Sequence, residues 1–327
     1  MKRINTIILP LLAAAALSSC SKQAAPDSNF PEDRVIRVEA SVLPSTKGSY
    51  TTYNLSEFAF YSLDFDALSY QYSKKCSRSS YSFEGYTPSW KWEGDAPLWK
   101  NSSDIVGMIA IAPVPSDYQN LSYNTFNPTH LTGYTFQIQT EQSLNDNGSD
   151  LIGWCKEGRT SDLLNSNKKV DITFQHLLSR LNLTFVLATE FDAIDIPTSD
   201  IVSDVVIKDA STEARVQLLN GSLSAAVTST SAKADVKAYS TGWTPANTKE
   251  ERCRSQWECI LVPETGTGIT ISFNVNGKPY ICILSGKDLE QGKAHNLTIN
   301  VGKDVATVGE MTIAGWENGG DSKLETE

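Results

Sequence analysis

The chain has 327 residues, of which 40% are hydrophobic and 20% are charged. This composition is typical of a globular protein of about two domains, and it excludes a disordered chain or a protein with many membrane spans. The formal charge of −10 argues against a nucleic-acid partner, because basic side chains that neutralise phosphates supply most non-specific affinity for nucleic acid. His130, His176 and His295 are widely separated and leave little material for acid–base or zinc chemistry. We therefore predict that the protein is not an enzyme and uses no cofactor.

The N-terminus carries an export signal. Two basic residues precede an apolar stretch, Ile7–Leu17, which runs into Leu17-Ser-Ser-Cys20. The stretch is shorter than the ~20 residues that a membrane-spanning helix needs, and Pro10 interrupts it. Leu-Ser-Ser-Cys is similar to a bacterial lipobox, so we predict that residues 1–19 are a lipoprotein signal peptide and that Cys20 is lipidated. The alternative is an ordinary secretory signal with a chance cysteine.

A short polar segment follows the predicted lipid anchor. Removal of residues 1–19 discards two basic side chains and leaves 26 basic and 38 acidic residues, a net charge of −12. The next residues, through Asp33, are rich in Ser, Ala, Pro, Asn and Asp and lack apolar periodicity. We predict that residues 20–33 form a flexible tether that holds the body of the protein away from the membrane.

Strand periodicity dominates the rest of the chain. In Ile36–Val42 apolar and polar side chains alternate, which is the pattern of a strand with one buried and one wet face. Asn276-Gly277 supplies the residues of a tight hairpin between two later segments of this kind. The predicted strands, in chain order, are Ile36–Val42, Phe58–Leu63, Ile105–Ala112, Tyr134–Gln139, Val170–Gln175, Leu181–Phe185, Val202–Lys208, Glu258–Val262, Ile269–Val275, Tyr280–Leu284, Leu297–Val301 and Met311–Trp316.

The fold class follows from this pattern. No segment shows a convincing amphipathic helix, and turn residues recur between the short strands, so the class is all-β. The simplest arrangement is two successive sandwiches of antiparallel sheets. The acidic, proline-containing stretch Thr189–Pro197 interrupts the alternation. We therefore predict an N-terminal β-sandwich domain over residues 34–190 and a C-terminal β-sandwich domain over residues 191–327.

Five cysteines remain once Cys20 is assigned to lipid, namely Cys76, Cys155, Cys253, Cys259 and Cys282. Cys253 and Cys259 are close enough in sequence to close a small disulfide loop in an oxidising compartment. The preferred interpretation is a set of buried or inert thiols. A zinc site would need a C-x2-C pair or a nearby histidine, and the sequence has neither.

No catalytic motif is present, and the one candidate ligand surface is aromatic. The chain lacks a P-loop, a G-x-S-x-G elbow, a G-x-G-x-x-G turn and an H-E-x-x-H helix. An aromatic-rich stretch contains Trp90, Trp92 and Trp99, and flat aromatic faces stack on sugars. Such residues also fill the core or edge of a sandwich, and this interpretation is favoured. Glycan binding through these tryptophans is kept as the alternative function.

Several segments, taken in order, resemble the fimbrillin family, the lipoprotein precursors of bacterial type V pili and their accessory subunits. The resemblance covers nearly the whole chain. It rests on the lipobox at Cys20, Thr46-Lys47-Gly48 after the first strand, Trp92 followed by Pro97-Leu98-Trp99, Ile109–Pro113, Asp150-Leu-Ile152, the segment Val170–Leu181, Leu289–Gly292 leading into Asn296–Val301, and the final strand that closes on Trp316.

The resemblance implies two tandem transthyretin-like sandwiches and a non-enzymatic role in fibre assembly or adhesion. It implies assembly by donor-strand exchange with other pilus subunits: a protease cuts after a basic residue, the first strand leaves, and a neighbour's strand takes its place. Ile36–Val42 would be the removable strand and Lys47 the site of cleavage. The implied location is the outer membrane, through a lipid anchor, or the fimbrium. The implied adhesion partner is a host or bacterial surface protein or glycan.

The sequence departs from the arginine-directed pattern of the family. The basic residue after the first strand is Lys47, whereas Arg34 and Arg37 lie before or inside the strand. Either a different protease cuts the chain, or it stays uncut as a lipid-bound basal or accessory subunit. The polar tail after Trp316 is a poor donor strand, so a donor should involve Glu310–Trp316. His176 is predicted to be a core or corner histidine bonded to the backbone.

Overall fold

Strands make up nearly all of the regular structure. A computed structural model describes residues 29–43, 49–64, 69–79, 89–119, 134–144, 146–191, 195–217, 226–266 and 268–316. The first eight strands along the chain are β1 (Val38–Val42), β2 (Glu57–Asp64), β3 (Ser69–Arg78), β4 (Trp90–Trp92), β5 (Ile105–Ala112), β6 (Tyr134–Gln137), β7 (Ile152–Arg159) and β8 (Val170–His176). The later strands are β9 (Ser179–Leu187), β10 (Val202–Ser211), β11 (Glu213–Gln217), β12 (Ala226–Ser229), β13 (Lys233–Lys237), β14 (Tyr239–Thr244), β15 (Arg254–Leu261), β16 (Ile269–Val275), β17 (Lys278–Leu284), β18 (Lys293–Val301) and β19 (Ala306–Gly315). One helical turn, α1 (Thr160–Leu163), and a 3-10 turn, Thr189–Phe191, complete the described elements.

The N-terminal part is one seven-stranded sheet that buries both of its faces. The strand order is β1-β8-β7-β5-β2-β3-β4. In β2, Phe58 and Phe60 enter a first core that also contains side chains of β1 and β8, whereas Tyr61 and Leu63 enter a second core. Because the central strands are covered on both sides, their sequences are runs of apolar residues, as in β5, and not alternations.

The C-terminal part is a sandwich. A five-stranded sheet, β14-β15-β9-β18-β19, packs against a four-stranded sheet, β13-β10-β16-β17, and a three-stranded sheet, β12-β11-β6, lies beside them. Phe185 of the first sheet and Phe273 of the second meet with ring centroids 4.5 Å apart. The second core extends from this sandwich to the face of β2 and β5 that carries Tyr61 and Ile109. The N-terminal sheet and the C-terminal sandwich therefore share one apolar core.

The all-β, sandwich-like fold is confirmed, and each predicted strand overlaps a strand of the structure. The hairpin between β16 and β17 is confirmed by positive φ angles of 48° at Asn276 and 78° at Gly277. The strand pairs are antiparallel, as predicted, except for two: β1 pairs with β8 and β18 pairs with β9 in parallel. Parallel and antiparallel neighbours bury alternate side chains in the same way, so the sequence pattern does not separate them.

Strand pairing crosses the predicted domain boundary at residue 190. Strand β9 precedes this position, yet its neighbours in the five-stranded sheet are β15 and β18, which follow it. Strand β6 likewise pairs with β11. The division into domains 34–190 and 191–327 stays a prediction.

Several sequence predictions concern residues outside the described ranges. These are the signal peptide over residues 1–19, Cys20, most of the tether, Lys47 and His130. Within the described ranges, no helix is long and apolar enough to cross a membrane.

Candidate functional site

Strand β1 lies at an edge of the seven-stranded sheet. It pairs in parallel with β8, in a register that runs from Val38 opposite Val170 to Val42 opposite Phe174. At the two ends of this ladder, the Val170 N–H donates to the Arg37 carbonyl at 2.8 Å and the Leu43 N–H donates to the Phe174 carbonyl at 3.0 Å. Strand β1 therefore depends on one neighbouring strand for its backbone pairing.

The residues just before β1 are held by the segment that follows β4. The Ile36 N–H donates to the Pro97 carbonyl at 2.9 Å, and the Trp99 N–H donates to the Arg34 carbonyl at 2.7 Å. The Trp92 indole N–H donates to the Ile36 carbonyl at 2.8 Å. These contacts bring the two edges of the seven-stranded sheet together at the start of β1.

The inward side chains of β1 and of Ile36, just before it, fill the first core. Ile36, Val38 and Val42 are all buried there, against Phe58 and Phe174 among others. Burial of an aliphatic side chain is worth about 1.5–3 kcal/mol. The space that β1 occupies is thus an apolar groove, and the edge of β8 forms one of its walls. A replacement strand would need the same alternation of apolar and polar side chains.

Two exposed ion pairs lie along the outer face of this segment. Lys169 contacts Glu39 at 2.5 Å, and Arg37 contacts Asp33 at 2.5 Å. The hydrogen bond from Arg37 lowers the pKa of Asp33 to about 2. Because these groups are solvated, their contribution to stability is small.

The C-terminal end of β1 is fixed by a threonine. The Val42 N–H donates to the Thr52 hydroxyl oxygen at 2.9 Å, and the same hydroxyl donates to the Val42 carbonyl at 3.2 Å. Thr52 follows the predicted cleavage residue Lys47 by five positions. Strand periodicity does not reveal this contact, because one hydroxyl group outside the strand makes it.

Next to this end of the groove lies a buried polar cluster. The His176 Nδ1 contacts the Asp150 carboxylate oxygens at 2.9 and 3.1 Å, and both side chains are nearly inaccessible to solvent. The His176 ring stacks on Trp316 with ring centroids 4.5 Å apart and an angle of 6°. The prediction of a core histidine is confirmed. The predicted backbone partner of its ring nitrogen is wrong, because the partner is the carboxylate of Asp150.

Arg180 extends this cluster into the C-terminal sandwich. Its guanidinium donates to the Trp316 carbonyl at 3.0 Å and lies 5.5 Å from the centroid of the Trp316 ring. Burial lowers the pKa of Arg180, and the charge of Glu258 opposes this effect. Tyr239 donates its hydroxyl hydrogen to Glu258 at 2.8 Å. The buried cation is therefore balanced by a buried, hydrogen-bonded anion, which is the usual condition for a charge in a core.

His295 is a second buried histidine, and its environment is simpler. Its Nε2 accepts a hydrogen bond from the Glu290 N–H at 3.0 Å. Burial lowers the pKa of His295, which keeps the ring neutral. This arrangement fixes a backbone turn and offers no pair of groups for acid–base catalysis.

The structure separates the three predicted ligand-contacting tryptophans. Trp99 is 1% exposed, so neither ring face is open to a ligand. Trp90 and Trp92 are partly buried and pack on Phe58 and Phe60 with ring centroids 5.0 and 5.1 Å apart. Trp92 and Trp99 instead contact the segment before β1. The three side chains form no common exposed platform.

One open cleft of about 510 Å³ lies elsewhere, between the end of β5 and strand β6. None of the three tryptophans lines it. Its lining residues are Pro113, Val114, Pro115, Ser116, Asp117, Tyr134, Thr135, Phe136 and Gln137.

The described cysteines form no disulfide bonds. Cys253 and Cys259 are both buried and not bonded to each other, so the disulfide alternative is wrong. The Cys253 sulfur accepts a hydrogen bond from the Ala246 N–H at 3.3 Å. Burial raises the pKa of Cys259 and raises the pKa of Cys155 to about 12. Such thiols are poor nucleophiles and poor metal ligands at neutral pH. In the described part of the chain, no three His, Cys, Asp or Glu side chains are grouped as metal ligands would be.

The fold is similar to that of several solved structures. A solved structure of a candidate cell adhesion protein from Bacteroides uniformis matches with a TM-score of 0.59 and 17% identity, covering 88% of this chain and 99% of that chain. Another candidate cell adhesion protein, from Bacteroides ovatus, matches with a TM-score of 0.57 and 12% identity, at the same coverage of 88% and 99%. At these identities the likeness concerns the fold. A search of curated protein sequences finds no match.

The sequence profile of the fimbrillin-like family matches residues 61–316. This range contains β8, the strand that pairs with β1, as well as the Asp150–His176 pair and Trp316. The chain therefore belongs to the fimbrillin-like family.

Proposed function

We propose that the protein is a cell-surface lipoprotein that serves as a structural or accessory subunit of a fimbria and that assembles by strand exchange. The observation that carries this proposal is the position of β1, an edge strand that has one neighbouring strand yet buries Val38 and Val42, together with Ile36 just before it, in a core. A strand so placed can be replaced without disturbing the other pairings of its sheet, whose edge then accepts a donated strand.

The accompanying proposals concern anchoring and partners. Lipidation at Cys20 holds the chain at the outer membrane, and cleavage near Lys47 frees β1. Other subunits supply the replacement strand, and adhesion to a surface protein or glycan is the biological outcome. The role is structural and not catalytic. The likeness of fold to candidate cell adhesion proteins supports the adhesive role.

A reversible lock on β1 tests strand exchange. Ser41 and Thr173 are opposite each other in the β1–β8 pair, with their hydroxyl oxygens 3.5 Å apart. Neighbouring strands lie about 4.8 Å apart, which is within the range of Cα separations that a disulfide spans. The double variant Ser41→Cys/Thr173→Cys should show no fibres by electron microscopy of intact cells when oxidised. It should recover them on mild reduction, which breaks no native bond in the described residues because their five cysteines form no disulfide.

The single variant Ser41→Cys is the control and should assemble under both conditions. Equal assembly of the oxidised double variant and the control would contradict strand exchange at this groove. N-terminal sequencing of the surface form separates the two processing alternatives. A chain that still begins at Cys20 in fibres would contradict cleavage at Lys47.

A further inference from the structure

We propose that the buried Asp150–His176 pair couples the two ends of the folded chain, so that the first and last strands loosen together. The proposal rests on the proposed function and deepens it, because the first strand is the one to be exchanged and the last strand is the one best placed to be donated. Asp150 contacts Tyr50 in the segment after β1, and His176 contacts Trp316, the residue that directly follows β19.

The contact on the first-strand side is a backbone hydrogen bond. The Tyr50 N–H donates to the Asp150 carboxylate at 2.7 Å. Tyr50 lies three positions after Lys47 and two before Thr52, the residue that fixes the end of β1. The Asp150 side chain is fully buried, so the carboxylate depends on its donors for the hydrogen bonds that water would otherwise supply. Departure of the segment would leave the anion with one donor fewer.

The contact on the last-strand side is a ring stack. Trp316 follows β19 directly and is 2% exposed, held between the His176 ring and the Arg180 guanidinium. In the described residues β19 is an edge strand that pairs with β18 alone. The stack is therefore the contact that fixes the end of β19 to the N-terminal sheet.

Strand β8 joins the two contacts physically. It provides the ladder for β1, and His176 is its last residue, two positions beyond Phe174, the partner of Val42. When β1 leaves, β8 loses its neighbour and Thr52 loses both hydrogen bonds to Val42. Tyr50 stays on the body of the chain, but the segment that holds its N–H against Asp150 is then no longer anchored to β1. The carboxylate that orients the His176 ring thus loses a fixed donor. Coupling of this kind is reciprocal, so loosening of Trp316 must also loosen the segment after β1. A subunit that still holds its own first strand thus keeps its last strand docked, which delays donation until the groove is open.

Hydrogen exchange of the full-length exported chain tests the coupling in both directions. The variant Trp316→Leu should accelerate exchange of peptides that span residues 38–43 and 49–54 by roughly 5- to 50-fold. The matched control is Trp243→Leu, in β14 of the same sheet, which removes a partly buried indole remote from the pair. The control should leave these peptides unchanged.

The reverse direction uses Thr52→Val, which removes both hydrogen bonds to Val42 and keeps the side-chain shape. Exchange in residues 306–315 should rise by a similar factor, although Thr52 contacts nothing in β19. The variant Asp150→Asn keeps the size of the side chain and weakens its bond to His176. It should accelerate exchange at both ends together, and its folding is checked by an unchanged rate in β16.

The coupling is overturned if Trp316→Leu affects the first-strand peptides no more than Trp243→Leu does. It is also overturned if Thr52→Val leaves residues 306–315 unchanged. Exchange is measured on single subunits and needs no fibre, so its outcome is independent of the disulfide lock. If the oxidised double-cysteine variant still forms fibres while the exchange rates at both ends change together, the proposed role in assembly is wrong and the coupling stands. If the oxidised variant forms no fibres but the exchange rates at the two ends are independent, only the proposed coupling through Asp150 and His176 is wrong.

Discussion

The two parallel strand pairs of the molecule have opposite surroundings. Strands β9 and β18 pair in the middle of the five-stranded sheet, with β15 and β19 on their outer sides. Strands β1 and β8 pair at the edge of the seven-stranded sheet, and β1 has no second strand beside it in the described residues. The ladder is parallel in both cases, so the difference lies in enclosure. An enclosed pair fixes the fold, whereas an edge pair can open while the remaining sheet persists.

The largest expected effect is in the enclosed pair. The variant Phe185→Ala removes a fully buried ring that contacts Phe273 in the facing sheet. We expect the free energy of unfolding to fall by about 3–5 kcal/mol because a large cavity forms in the shared core. Urea denaturation followed by tryptophan fluorescence measures it. The control Thr184→Ala changes the preceding residue, whose side chain lies on the less buried face. It should lower the free energy of unfolding by about 0.5 kcal/mol or less. Similar losses for both variants would contradict the enclosure argument.

A smaller and more local effect is expected in the edge pair. The variant Val38→Ala deletes two buried methyl groups from the groove, which is worth about 1–2 kcal/mol. We expect faster hydrogen exchange in residues 38–43, with a much smaller shift of the urea midpoint than Phe185→Ala causes. The control Ser41→Ala changes the outer face of the same strand. A global midpoint shift as large as that of Phe185→Ala would show that β1 does not open separately.

The smallest effect concerns pH and the segment before β1. The pKa of Asp33 is lowered from its ordinary value of 3.8 to about 2 by the hydrogen bond from Arg37. A carboxyl with a lowered pKa stabilises the folded segment above its ordinary pKa, and this contribution is lost as the pH falls through about 2. The variant Asp33→Asn should therefore exchange residues 38–43 slightly faster than the native chain at pH 5. The difference should vanish near pH 2, and its persistence there would contradict the ion pair.

Sequence patterns identified the strands that bury one face and gave no information on their neighbours. The alternation in Ile36–Val42 and Ile269–Val275 predicted strands that the structure confirms. Strand β13, Lys233–Lys237, was missed because it lies at a sheet edge, where charged side chains face water and weaken the alternation. Strand β3, Ser69–Arg78, lies inside its sheet between β2 and β4 and was also missed, because it is polar and carries two adjacent lysines. Polar strands are thus the ones that sequence periodicity describes least well.

The polar cluster was only partly visible in the sequence. The segments around Asp150 and His176 each resemble the fimbrillin family. The two residues are separated by 26 positions, and nothing in the sequence pattern indicates that they are in contact. Arg180 and Trp316 came from the same set of segments and also meet in the cluster. The partner of the buried cation, Glu258, lay in a predicted strand and carried no signal of its own. Convergence of charges depends on sheet order, which periodicity does not encode.

The direction of β1 has a mechanical consequence for an uncut, lipid-anchored subunit. Tension from the membrane would pull on the N-terminal end of β1, and the rest of the chain would resist through the C-terminal end of β8, which continues into β9. Because the two strands run parallel, such a force shears the ladder and loads all of its hydrogen bonds at once. An antiparallel edge strand pulled from the same end would instead be peeled away one bond at a time. In such a subunit the parallel pairing of five residues would give β1 resistance to tension. In a subunit cleaved after β1, an exchange that begins at the C-terminal end of β1 would break the same bonds one after another.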